Sequence, residues 1–110
     1  TVLKAYVADS FLKRMFGLMH WKRLENKEGM LFILRKPSKA GIWMHNMHFP
    51  IDIVWLNEKK EAIGIIKNAK PCRLLDCKIY APSHPAKFVL EINAGLADKL
   101  GIKIRNRLRW

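Results

Sequence analysis

The sequence predicts an α+β domain that is mostly β: a small sandwich or partly closed barrel of about seven short strands with two short helices. Three observations predict it. Short apolar segments, alternating or unbroken, recur along the chain between turn residues. Two stretches carry helical spacing behind a capping residue. The chain has 110 residues, half of them apolar and 27% charged, which suits a single folded domain over residues 1–110 with a core of its own.

Val2–Ala8 alternates, with Leu3, Ala5 and Val7 on one face and Lys4 and Tyr6 on the other, as a strand does. Asp9 or Ser10 caps a short helix in which Phe11, Leu12, Met15 and Leu18 form one stripe, and Gly17 ends it early. His20–Glu28 reads as loop. Met30–Leu34 is a nearly unbroken apolar run, the pattern of a strand covered on both faces. A turn over Lys36–Lys39 leads to a strand at Ala40–His45 and a corner at Asn46–Pro50, where Pro50 fixes its own φ and extends Phe49.

Ile51–Leu56 is the next strand, paired through a polar loop at Asn57–Lys60 with Ala62–Lys67. Lys70–Pro85 holds three prolines and both cysteines and reads as a long ordered connection, a place where function often sits. Ala86–Ile92 is a strand with Phe88, Leu90 and Ile92 inward and Lys87 and Glu91 outward. Asn93 caps a helix over Ala94–Leu100 that Gly101 ends. Ile102 and Ile104 lead into a final strand whose Lys103, Arg105, Arg107 and Arg109, spaced by two, share one face.

Charge limits the partners. Twenty-one Lys and Arg against nine Asp and Glu give a net charge of +12, which attracts anions, nucleic acid and anionic membranes. The cations are scattered, and the C-terminal four are the densest cluster. They are read either as charges that keep an edge strand from pairing or as an anion site. No apolar run is long enough to span a membrane and no signal-peptide pattern is present, so the expected place is the cytoplasm. The chain opens at Thr1, so either an initiator Met or an upstream segment has been removed. Cys72 and Cys77 are too few for a disulfide framework or a structural zinc site; they are either buried thiols or a local disulfide.

Several chemistries can be weighed on these residues. His45 and His48 lie three apart and so face opposite ways along a strand; with His20 and His84 they read as surface or structural histidines, and no metal is expected. Ser10 is a cap, and Ser83 has its histidine adjacent in sequence rather than placed as a base. There is no nucleophile elbow and no Gly-rich phosphate loop, so no cofactor is expected. Asp52 and Glu91 are the acids inside apolar strands. Asp52 most simply accepts hydrogen bonds at the corner, from Asn46 or Trp43, and Glu91 pairs with a Lys or Arg.

Trp43, Asn46, Asp52 and Trp55 combine flat apolar surface with donors and acceptors, with Tyr80 as a cover. That chemistry suits sugars or other small polar ligands with an apolar face. The expected function is therefore a non-enzymatic module that binds a small ligand or a protein partner at the Trp43–Asp52 corner. The alternative is a binder of nucleic acid or anionic surfaces through Lys103, Arg105, Arg107 and Arg109, and an enzyme is the third option.

Five segments, VADS (Val7–Ser10), GLM (Gly17–Met19), GMLF (Gly29–Phe32), WMHNMHFPIDIVWL (Trp43–Leu56) and VLEINAGLADKLGI (Val89–Ile102), occur in an order and spacing that span nearly the whole chain. In them the chain resembles the family called domain of unknown function 192, or uncharacterised protein family 0127. The resemblance implies a compact β-rich domain of archaea and bacteria and brings no catalytic mechanism. Four positions depart from the family pattern: Met47 stands in place of Thr, His45 in place of Lys, and Arg105-Asn106 in place of Gly-Asp.

Overall fold

The computed structural model describes residues 2–73 and 77–110, without the side chains of Phe11 and Leu12. Among these, seven strands and two short helices follow in the order β1 (Lys4–Ala8), α1 (Phe11–Phe16), β2 (Glu28–Ser38), β3 (Ile42–Trp43), β4 (Ile51–Leu56), β5 (Ala62–Ala69), β6 (Ile79–Tyr80), β7 (Ala86–Asn93) and α2 (Leu96–Leu100). Five strands form one sheet in the order β1-β2-β7-β4-β5, and β3 with β6 forms a second, two-stranded sheet. The domain is α+β and mostly β, and its strands do not close into a barrel. Among the described strands β1 and β2 run parallel, joined through α1, and the other strand pairs are antiparallel; an isolated parallel bridge joins His45 to Cys72.

Within the five-stranded sheet β4, between β7 and β5, is covered on both faces, which is why it reads as a nearly unbroken apolar run. All six residues of β4 are buried. Ile51, Ile53 and Trp55 join Met30, Phe32, Val89, Leu18, Met44 and Met47 in one cluster, beneath the turn after α1 and the corner. Val54 and Leu56 join Leu31, Leu90, Ile92, Leu96, Ala97 and Ile102 in another, beneath α2 and the C-terminal segment. Strand alternation sends one set to each layer.

Local chemistry sets the ends of the elements. Ser10 caps α1, its hydroxyl accepting from the Lys13 N–H at 3.2 Å. Gly17 ends the helix at φ +50°, and a Cβ there would lie 2.8 Å from Phe32 Cζ, so both the backbone and the packing require glycine. Leu18 is buried as expected, but Met15 is exposed, because a six-residue helix is too short to bury the whole stripe.

Four expectations are corrected. The turn expected at Lys36–Lys39 is the exposed end of β2, which carries Pro37 past a register shift between Ile33 and Ser38. Asn93 does not cap α2. Its side chain donates instead to the Leu24 carbonyl, and Gly95, at φ +90°, precedes the helix. Glu91 does not face outward. It is 3% exposed, on the face of β7 shared with Val89, because the layer that includes Leu18, Leu24 and the corner residues Met44 and Met47 covers that face.

The final basic strand is also absent. Residues 103–106 turn, with Asn106 Oδ1 accepting from the Lys103 N–H at 2.8 Å and Arg105 at φ 76°, and a single bridge joins Arg107 to Glu61. Backbone bonds from Ala62 to Asn106 and from Arg105 to Ala62 hold this turn against β5.

The bond that fixes α2 comes from β4. Asp52, with no exposed surface, accepts from the N–H groups of Gly95 at 3.1 Å and Ala97 at 2.9 Å through Oδ2, and from that of Asn68 at 2.9 Å through Oδ1. The corner residues Asn46 and Trp43 are not among its donors, because residue 52 points to the α2 side of the sheet. Asp52→Ala should lower the free energy of unfolding by roughly 2–4 kcal/mol, since the buried Ala97 N–H and the part-buried N–H groups of Asn68 and Gly95 lose their acceptor. Asp52→Asn should cost less, about 1–3 kcal/mol, because the amide oxygen still accepts. Urea unfolding monitored by tryptophan fluorescence measures both.

Candidate functional site

The corner between β3 and β4 is assembled from two segments. One is Ile42–Pro50; the other is the stretch around Cys72 and the strand β6. Ile42 pairs with Tyr80 and Trp43 with Ile79. The Asn46 N–H donates to the Cys72 carbonyl and the Cys72 N–H to the Met44 carbonyl, each at 3.1 Å. Asn46 takes φ +61°, the left-handed geometry that asparagine tolerates better than most residues. Cys72 and Cys77 are joined as a disulfide. Leu74–Asp76, part of the long connection read from the sequence, lie outside the described residues.

This frame presents an aromatic surface. Trp43 and His45, two apart and therefore on one side of the extended segment, stack with ring centroids 4.6 Å apart and planes 12° apart. His45 Nδ1 lies 3.7 Å from Cys77 Sγ. Trp43 is 50% exposed, and its cross-strand neighbour Ile79 is 64% exposed. Ile79 packs over Gly41, where a Cβ would lie 2.5 Å from Ile79 Cγ2, so glycine lets the two short strands approach.

The five corner residues named from the sequence separate into four places. Trp43 is on the surface, and the exposed side chain of Asn46 forms no hydrogen bond with a described residue. Trp55 is 1% exposed in the core, with Nε1 donating to the Ala40 carbonyl at 3.1 Å. Tyr80 is half-buried in β6, paired with Ile42 and packed against the cluster that holds Trp55, with Lys78 Nζ 5.1 Å from its ring centre. Asp52 is on the far face of the sheet. His45 and Ile79 complete the exposed group and were not singled out for binding. The i, i+2 relation of Trp43 and His45 was the available signal for the first; Ile79 arrives through a pairing that the sequence does not announce.

Among the described residues, no three His, Cys, Asp or Glu side chains are grouped closely enough to hold a metal ion. His20 packs on Phe16, with ring centroids 5.3 Å apart, and His84 Nδ1 lies 3.1 Å from Ser83 Oγ. No described helix is long and apolar enough to cross a membrane. Lys103, Arg105, Arg107 and Arg109 are all exposed, but they follow turns rather than one face of a strand, and Arg107 Nε donates to the Lys59 carbonyl at 2.9 Å.

Glu91 is the unusual acid. Its cross-strand neighbours are Met30 on β2 and Ile53 on β4, and among the described residues no Lys or Arg pairs with it. Burial alone pushes its carboxyl up to about 8. The fold therefore retains a proton that the unfolded chain releases near pH 4.5. This contribution to stability is complete below that pH and is lost as pH rises towards about 8. Glu91→Gln should match the parent in urea unfolding at acidic pH and exceed it increasingly between pH 5 and pH 9, measured in a pH series.

Comparison with known proteins agrees with this architecture. Residues 1–110 match the model of the family DUF192, described as "Uncharacterized ACR". A UPF0127 protein of Pyrococcus furiosus is 31% identical over 105 residues, covering 94% of this chain and 83% of that protein. One from Thermococcus sibiricus is 31% identical over 106 residues, and there the chain spans only 64% of its relative's length. A crystal structure of a protein of unknown function from Novosphingobium aromaticivorans superposes with a TM-score of 0.90 at 33% identity, over 98% of this chain and 75% of that one. Another, from Sinorhizobium meliloti and described as "a putative transcription regulator", also gives 0.90, at 29% identity over 97% and 81% of the two chains.

Proposed function

We propose, from the premise that this chain belongs to the uncharacterised family DUF192, that it is a non-enzymatic binding module whose corner takes a small polar ligand with an apolar face, of the sugar class. The observation that carries this reading is the Trp43–His45 stack, half open to solvent and backed by the disulfide and the β3–β6 pair. A pyranose ring offers one face of C–H groups to such an indole and a rim of hydroxyls to whatever lies beside it. The exposed amide of Asn46, next in sequence to His45, can both donate and accept at that rim. The backbone bonds that clamp Asn46 and Met44 to Cys72 limit the ordering needed on binding.

Titration with a panel of neutral oligosaccharides, read by tryptophan fluorescence and calorimetry, tests the reading. Trp43→Ala should remove binding while shifting the thermal midpoint little, because the side chain is half exposed. Asp52→Ala should lower stability and leave the affinity of the folded protein unchanged. Loss of stability in Trp43→Ala, with no saturable binding by the parent, makes the corner structural.

A second reading is supported by the net charge of +12 and the exposure of Lys103, Arg105, Arg107 and Arg109: binding of nucleic acid or another anionic surface. The description of the Sinorhizobium relative is in keeping with it. Four phosphate contacts on duplex DNA would give a log–log salt dependence with a slope of about −3 to −4. Retention on immobilised duplex that is absent or insensitive to salt removes this reading.

A further inference from the structure

A cleft on the α2 side of the sheet, across the core from the corner, has no part in the corner reading, and it shares Arg107 and Arg109 with the anionic-surface reading. Its floor is Leu31 and Leu90 from adjacent strands, and its walls include Leu3, Leu100, Ile102 and Trp110. Its volume is about 500 Å³. That falls within the range of small-molecule sites, roughly 300–1,000 Å³. Arg107 and Arg109 also line it, and no acidic residue does. Among the described residues, neither guanidinium is paired with a carboxylate. Arg107 uses Nε on the Lys59 carbonyl, which leaves its two terminal nitrogens unengaged, and the Arg109 side chain makes no hydrogen bond with a described residue. The Trp110 wall is itself braced, edge-on to Phe88 at 4.9 Å and beneath Lys60 Nζ at 4.4 Å.

We propose that this cleft binds a free long-chain carboxylate, with the alkyl chain on the leucine floor and the carboxylate on Arg107 and Arg109. The charge pattern selects the ligand. An apolar trough with cations on its lining and no acid matches an amphiphile with one anionic end, and an arginine fork fits a carboxylate by two parallel N–H donations. The concave shape selects a free molecule over a bilayer, since acyl chains held in a membrane cannot enter a recess without leaving it. The floor leucines are buried, so the apolar part of the affinity comes from covering the exposed rim, Val2 and Trp110 above all.

Calorimetric titration of the full chain with laurate kept monomeric provides the test, with hexanoate and dodecyltrimethylammonium as comparison probes. Laurate should bind at one saturable site, and both comparison probes should bind about tenfold more weakly or worse. Arg107→Glu with Arg109→Glu should lower laurate affinity by about tenfold and raise that of the cationic amphiphile. Lys36→Glu with Lys39→Glu makes the same change in net charge at exposed positions outside the cleft and should leave both affinities within about threefold. If the arginine pair perturbs folding through the lost Lys59 contact, Arg109→Glu alone makes the same comparison. Absence of saturable laurate binding, equal losses in both double variants, or association with anionic phospholipid vesicles without binding of monomeric laurate would each overturn the assignment.

Discussion

One carboxylate holds the architecture together. β4 is buried along its full length, and a charge at its second residue is tolerable only because three backbone donors converge on it. Those donors come from both sides of the strand. Asn68, at φ 55°, lies at the far end of β5, and Gly95 and Ala97 open α2 after the left-handed turn at Gly95. Asp52 thus sets the end of one hairpin and the start of a helix with a single side chain. The helix has only five residues and could not hold its own first turn without such an acceptor.

Glu91 is a buried acid without such donors among the described residues. Asp52 pairs in register with Ile92, and Glu91 with Ile53, so the two acids lie one register step apart on opposite faces of the same strand pair. Asp52 meets loop and helix backbone that offers N–H groups. Glu91 meets Met30, Ile53 and the rest of an apolar layer, which offer none, and its proton stays on.

Much of this was legible because it is local. The Ile51–Leu56 strand, the Ser10 cap and the glycine stop at Gly101 follow from patterns a few residues wide, and the structure shows them at those places. What was not legible depends on partners far away in sequence. Glu91 looked outward because Lys87 shares its face, yet the layer that covers Glu91 comes from residues near the N-terminus and from the corner. Asn93 looked like the cap because it precedes an apolar run, whereas the acceptor comes from a strand 43 residues earlier in the chain. The C-terminal cations looked like a strand because they recur every second residue. A period of two in charge, without a sheet edge offering a regular ladder, is equally compatible with the turn that Asn106 closes.

The corner shows the same limit and also a choice made by the fold. Trp43 and Trp55 stood together in the sequence as equivalent candidates. The structure buries Trp55 and gives its indole N–H a carbonyl, and leaves Trp43 on a small accessory sheet with Ile79 beside it and His45 against its face. Single exposed apolar residues need no explanation, but contiguous exposed ones on a braced frame lose solvation free energy that burial would recover. The core has taken one tryptophan and excluded the other, while two backbone bonds and the neighbouring disulfide hold the corner that presents the excluded one. Such bracing also seats Met44 and Met47 in the core beneath it. At the surface its effect is to keep an aromatic surface flat and in place, which is what a ligand stacking on that surface requires.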